Sequence, residues 1–133
     1  MKKTVHLLST QRGADDEQQM DLTVQGSLKR LGEHWMVCYE ETLGDDTVQT
    51  NLHLQQNTAR IHRRGKWESC MLIEQGARNT CLYRTPYGEC PLGVYGRRVS
   101  YRLTEQGGEI DLCYTLDFGG TNATEHQIRI TIE

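Results

Sequence analysis

The chain has 133 residues and a net charge of −3, with 36% hydrophobic and 25% charged side chains. A chain of this length can bury a core of its own without help from disulfides or metal. Its mild acidity, with a pI of about 5.9, excludes a global electrostatic pull towards nucleic acid, and no apolar run reaches the length of a membrane-spanning helix.

Residues 1–12 place two lysines ahead of a few apolar residues. The apolar part is short, is interrupted by His6 and Ser9, and lacks a small-residue cleavage site. It reads as a first strand, with Val5 and Leu7 opening an alternation that runs to about Gln11, and not as a signal peptide. Residues 13–17 are a solvated turn. Met20, Leu22, Val24 and Leu28 then alternate, with Gly26 in step, where a glycine predicts a bend or bulge. Trp35, Val37 and Tyr39 continue the pattern and bring Glu41 onto their face. After a turn at Gly44-Asp45-Asp46 come Val48, Thr50, Leu52 and Leu54.

The stretch 60–95 organises the rest. Ile61 and Arg63 share one face of a strand whose other face carries Arg60, His62 and Arg64. A tight reversal at Gly65-Lys66 leads into Trp67, Ser69, Met71 and Ile73. Ala77, Asn79, Cys81, Tyr83 and Thr85 form one face of the next strand, which ends at Pro86-Tyr87-Gly88 because proline cannot donate within a ladder. The long run from Leu92 to Leu103 contains Gly93 and Gly96 and is predicted to bend. Ile110, Leu112, Tyr114, Leu116 and Phe118 give the clearest alternation, and Ile128, Ile130 and Ile132 complete the last strand.

No window sustains a 3.6-residue period, so little or no helix is expected. About ten strands joined by short turns read as a meander, and a meander this long leaves exposed edges unless it closes. The apolar supply fills one interior and little more, against a parallel sheet covered on both faces. The expected fold is therefore all-β, a closed antiparallel barrel of about 8–10 strands in a single domain over residues 1–133, with a two-sheet sandwich second. Cys38, Cys70, Cys81, Cys90 and Cys113 are odd in number, and with no export signal they read as reduced thiols in a cytoplasm.

Strand parity also selects the polar residues that face inward. Glu41 is in step with Trp35, Val37 and Tyr39, Arg63 with Ile61, Thr50 with Val48 and Leu52, and Tyr83 with Cys81. A charge inside a barrel is costly unless paired, so Glu41 and Arg63 are expected partners. Either they form a satisfied pair near a barrel end, or Arg63 anchors an anionic group through its fork while Tyr83, Tyr87 and Tyr114 supply apolar walls with hydroxyl tips. The basic cluster of Arg60, His62, Arg63, Arg64 and Lys66, with Arg97, Arg98 and Arg102 further on, reads as a solvated face in preference to a nucleic-acid surface, because nearby glutamates balance it. Cysteine and histidine spacings suit no metal. No nucleophile elbow or phosphate-cradling loop points to catalysis, so an enzyme is the less favoured class and no cofactor is expected.

The order Tyr39-Glu40-Glu41, then Val48, Thr50 and Leu52, then Ile61-His62-Arg63-Arg64-Gly65 resembles the DUF1934 family. Gln75-Gly76, Tyr83-Arg84-Thr85-Pro86-Tyr87-Gly88 and Leu112-Cys113-Tyr114 extend that resemblance over nearly the whole chain from the second strand onward. It implies a lipocalin-like (calycin-type) barrel in a small intracellular bacterial protein and implies no activity. The expected function is binding of a small amphipathic or anionic ligand inside the barrel, by Glu41, Thr50, Arg63, Tyr83, Tyr87 and Tyr114. The alternatives are a scaffold protein with a barrel filled by side chains, then a barrel enzyme or an RNA-binding barrel.

Overall fold

A computed structural model describes residues 2–65, 68–85 and 87–133, and at Leu43, Thr85 and Asn122 the backbone alone. Lys66, Trp67 and Pro86, which the sequence assigns to a reversal, an inward face and a strand end, lie outside the described residues. The strands are β1 (Lys2–Arg12), β2 (Glu17–Leu31), β3 (His34–Leu43), β4 (Asp46–Gln55), β5 (Thr58–Arg64), β6 (Glu68–Glu74), β7 (Arg78–Thr85), β8 (Gly88–Thr104), β9 (Gly107–Phe118) and β10 (Thr121–Ile132). Each pairs antiparallel with the next, and β1 closes on β10 through a ladder from Val5↔Ile132 to Arg12↔Glu125. The product is a closed ten-stranded meander barrel, so the sandwich is ruled out by the closing ladder. No helix occurs among the described residues, and none is long and apolar enough to cross a membrane.

The period of two decides what fills this barrel. Val5, Val37, Leu52, Leu54, Ile73, Val94 and Leu112 are fully enclosed, each from the apolar parity set of its strand. At Gly26 the ladders run unbroken, so the expected bulge is absent. The glycine instead marks the point where β2 passes from pairing with β1 to pairing with β3. A Cβ there would lie 2.6 Å from the Cys38 carbonyl oxygen and 3.1 Å from the Tyr39 Cβ, which is why only glycine fits.

The bend predicted in β8 is a bulge between Gly96 and Arg98. It resets parity, so that Val94 and Gly96 face inward before it and Val99 and Tyr101 after it. The β6–β7 hairpin leans against this bulge. Gly76 N donates to Gly96 O at 2.8 Å, Gly96 N donates to Ala77 O at 3.1 Å, and Gln75 N donates to Asn57 O at 3.0 Å. Among the described residues, the hairpin has ladder pairs at Glu68↔Arg84 and Ser69↔Tyr83.

The two ends of the barrel differ. Trp35, Leu54, Ala59, Ile73, Val99, Ile110 and Ile132 pack the end that carries the β2–β3, β4–β5, β6–β7 and β8–β9 turns. Arg30, opposite Trp35 on β2, lies over that indole ring 5.7 Å from its centroid. The other end is hollow.

Candidate ligand cavity

The hollow end holds a cavity of about 480 Å³, within the range of small-molecule sites. The expected alternative of a barrel filled throughout by side chains therefore does not hold for this half. Apolar groups from β1, β2, β9 and β10, including Leu7, Leu22, Leu116 and Ile128, form one wall. The opposite wall is built by register. Tyr39 on β3 faces Thr50 on β4, Thr50 faces Arg63 on β5, Arg63 faces Ser69 on β6, Ser69 faces Tyr83 on β7, and Tyr83 faces Cys90 on β8. All six line the cavity, and each ends in a hydroxyl, a guanidinium or a thiol. The next row into the barrel, Val37, Leu52, Ile61 and Met71, is wholly apolar.

Arg63 donates from one terminal nitrogen to Glu41 Oε1 at 2.5 Å. The Glu41 side chain is 3% exposed and that of Arg63 is 42% exposed, so the carboxylate is sealed in the wall while the guanidinium opens into the cavity. This is the pair that parity predicted. Among the described residues that line the cavity, Arg63 is the one Arg or Lys and Glu41 the one carboxylate. Thr50 Oγ1 is buried and has no hydrogen-bond partner.

Two tyrosines stand beside these groups. Burial pushes the Tyr114 hydroxyl up to about 12, against a smaller downward pull from the Arg63 charge. Tyr39 is also raised, chiefly by burial. It is held back by Arg63 and by the neighbouring Thr50 hydroxyl. The His126 ring stacks on Tyr114, with centroids 5.0 Å apart and planes 6° from parallel. Its Nε2 and the Thr124 hydroxyl share a hydrogen bond of 2.7 Å, and burial lowers its pKa, which favours the neutral imidazole.

Of the residues the sequence nominated, Glu41, Thr50, Arg63, Tyr83 and Tyr114 come together around this space. Tyr87 does not. It is 94% exposed in the β7–β8 connection at the rim of the hollow end and is not part of the cavity lining. Tyr39, Ser69, Cys90 and His126 also line the cavity without having been nominated. Parity held the signal for three of them, since Tyr39 is in step with Val37, Ser69 with Met71, and His126 with Ile128 and Ile130.

The expected basic cluster divides across the wall. Arg63 points inward while its neighbours lie on the outer face, where His62 Nε2 meets Glu68 Oε1 at 3.1 Å, Arg97 meets Glu125 at 3.2 Å and Arg98 meets Asp111 at 3.2 Å. Among the described residues, no three His, Cys, Asp or Glu side chains converge as metal ligands would.

The fold is shared. The structure is similar to the crystal structure of the ywiB protein from Bacillus subtilis, with a TM-score of 0.90 and 20% identity, covering 99% of this chain and 90% of that one. At that identity the likeness shows the fold alone. No curated protein matches the chain. The model of DUF1934, a domain of unknown function, matches residues 5–130. The chain belongs to the DUF1934 family.

Proposed function

We propose that this barrel binds one small amphipathic ligand in its hollow half, with the polar part against Arg63 and Tyr39 and the apolar part against Leu7, Leu22 and Leu116. The observation that carries this reading is the cavity itself, apolar over most of its lining, into which the Arg63 guanidinium opens as its one Arg or Lys among the described residues. The volume, about that of sixteen waters at ~30 Å³ each, accommodates a ligand of about fifteen non-hydrogen atoms or somewhat more. Small closed barrels of this kind, lipocalin-like ones among them, hold one small ligand when side chains do not fill them. All five cysteines are free thiols, which supports a reducing compartment such as the cytoplasm.

Native mass spectrometry of the protein purified without denaturation, followed by thermal-shift screening of small amphiphiles, tests the proposal. A stoichiometric adduct, or a compound that raises the melting temperature of the wild type and not of an Arg63→Met variant, is the expected result. Equal responses from both proteins would remove the cavity as the site.

A further inference from the structure

The polar groups of the cavity do not gather at one end, as a pocket for a single head group would place them. They run in a line, one per strand, across Tyr39, Thr50, Arg63, Ser69, Tyr83 and Cys90. Adjacent strands stand ~4.8 Å apart, so alternate members such as Thr50 and Ser69 are about 10 Å apart along the wall. The row beneath is apolar, as is most of the wall opposite. A ligand lying in this space therefore meets hydrogen-bonding groups along one edge and hydrocarbon on its faces.

Charge narrows the class further. Arg63 already holds the Glu41 carboxylate, and no second Arg or Lys occurs among the described lining residues. An anionic ligand would bring a second negative charge beside the sealed Glu41 carboxylate, to a site whose one Arg is already engaged with it, and that repulsion disfavours it. Neutral oxygen groups avoid that cost and still accept from the remaining donors of Arg63, while exchanging hydrogen bonds with the Ser69 hydroxyl.

We infer that the ligand is an uncharged, flat or narrow molecule of about fifteen non-hydrogen atoms with two or more oxygen groups spaced along one edge, and that it lies along the wall formed by β3 to β6. This rests on the reading that the hollow half takes a ligand, and it sets aside both an anionic head group and a head-and-tail amphiphile.

Isothermal titration calorimetry at pH 7 with two probes of matched size tests it. The probes are 2,7-dihydroxynaphthalene, neutral with both hydroxyls on one edge, and 2-naphthoate, the same ring system with a single carboxylate. The diol is expected to bind at least tenfold more tightly. Ser69→Ala should weaken it severalfold, while Ser69→Thr, which keeps the hydroxyl, should not. Tighter binding of naphthoate, or equal binding of the two, would overturn the neutral-edge inference and leave the cavity reading standing. Binding of neither at millimolar concentration would overturn both.

Discussion

Arg78 on β7 reaches across β8 to grip Asp117 on β9, with its Nε 3.2 Å from Oδ2 and a terminal nitrogen 2.7 Å from Oδ1. The intervening strand allows this because Gly93 lies beneath the pair, where a Cβ would overlap both the guanidinium and Oδ1. Asp117 also accepts from Gly120 N at 2.8 Å, which ties the β9–β10 turn to the same carboxylate. Gly93→Ala should therefore act by displacing this pair. Both Gly93→Ala and Asp117→Asn should lower the melting temperature by several degrees, and the double variant by no more than the worse single one. Additive losses would show that the glycine serves something else. The Arg78 hydrogen bond holds the Asp117 pKa below its ordinary value. The stabilisation is thus present above the unfolded-state pKa and is lost as pH falls through the folded one, so Asp117→Asn should flatten the acid limb of stability below about pH 4.

The Glu41–Arg63 pair is asymmetric, with a sealed carboxylate and an open guanidinium. Arg63→Met leaves Glu41 buried without its partner and should cost about 3 kcal/mol, the low end for broken buried pairs because Arg63 is partly solvated. Glu41→Gln, Arg63→Met together should recover most of that loss in urea unfolding. If the double variant is as unstable as Arg63→Met, the desolvation of an unpaired Glu41 carboxylate is not the cause.

Thr50→Val should separate stability from binding. It replaces an unpartnered buried hydroxyl by a methyl of nearly the same shape, so the free protein should gain about 1 kcal/mol. The same change should leave binding in the cavity little altered, because Oγ1 is sealed from that space. A loss of stability in the free protein would mean that Thr50 Oγ1 already has a partner in solution.

Tyr114 should resist ionisation until about pH 12. Its folded pKa exceeds the unfolded value near 10, so the unfolded chain releases that proton first and stability falls as pH rises between the two. Spectrophotometric titration of Tyr114→Phe should lack the highest tyrosinate step, and its alkaline unfolding should be less steep. An unchanged titration would place the Tyr114 hydroxyl in water.

Much of this barrel was legible in strand parity. Trp35, Val37, Tyr39 and Glu41 face one way in the structure as they do in the alternation, and Arg63 follows Ile61 inward although its three basic neighbours lie outside. The hollow was not legible. A row such as Thr50, Arg63 and Ser69 reveals itself only once the registers of β4, β5 and β6 align, and register is set by turns that a single strand does not encode. The same limit misplaced Tyr87, where a turn and not a strand sets the direction, and it hid the role of Gly93, which depends on residues of two other strands.

The most direct measurement of the central claim is a ¹H–¹⁵N chemical-shift titration with 2,7-dihydroxynaphthalene. Saturable shifts are expected at the amides of Tyr39, Thr50, Arg63, Ser69 and Tyr114, with Gly32, in the β2–β3 turn at the packed end, unmoved as the control. Shifts confined to the packed end and the outer face, with the inner row silent, would contradict it.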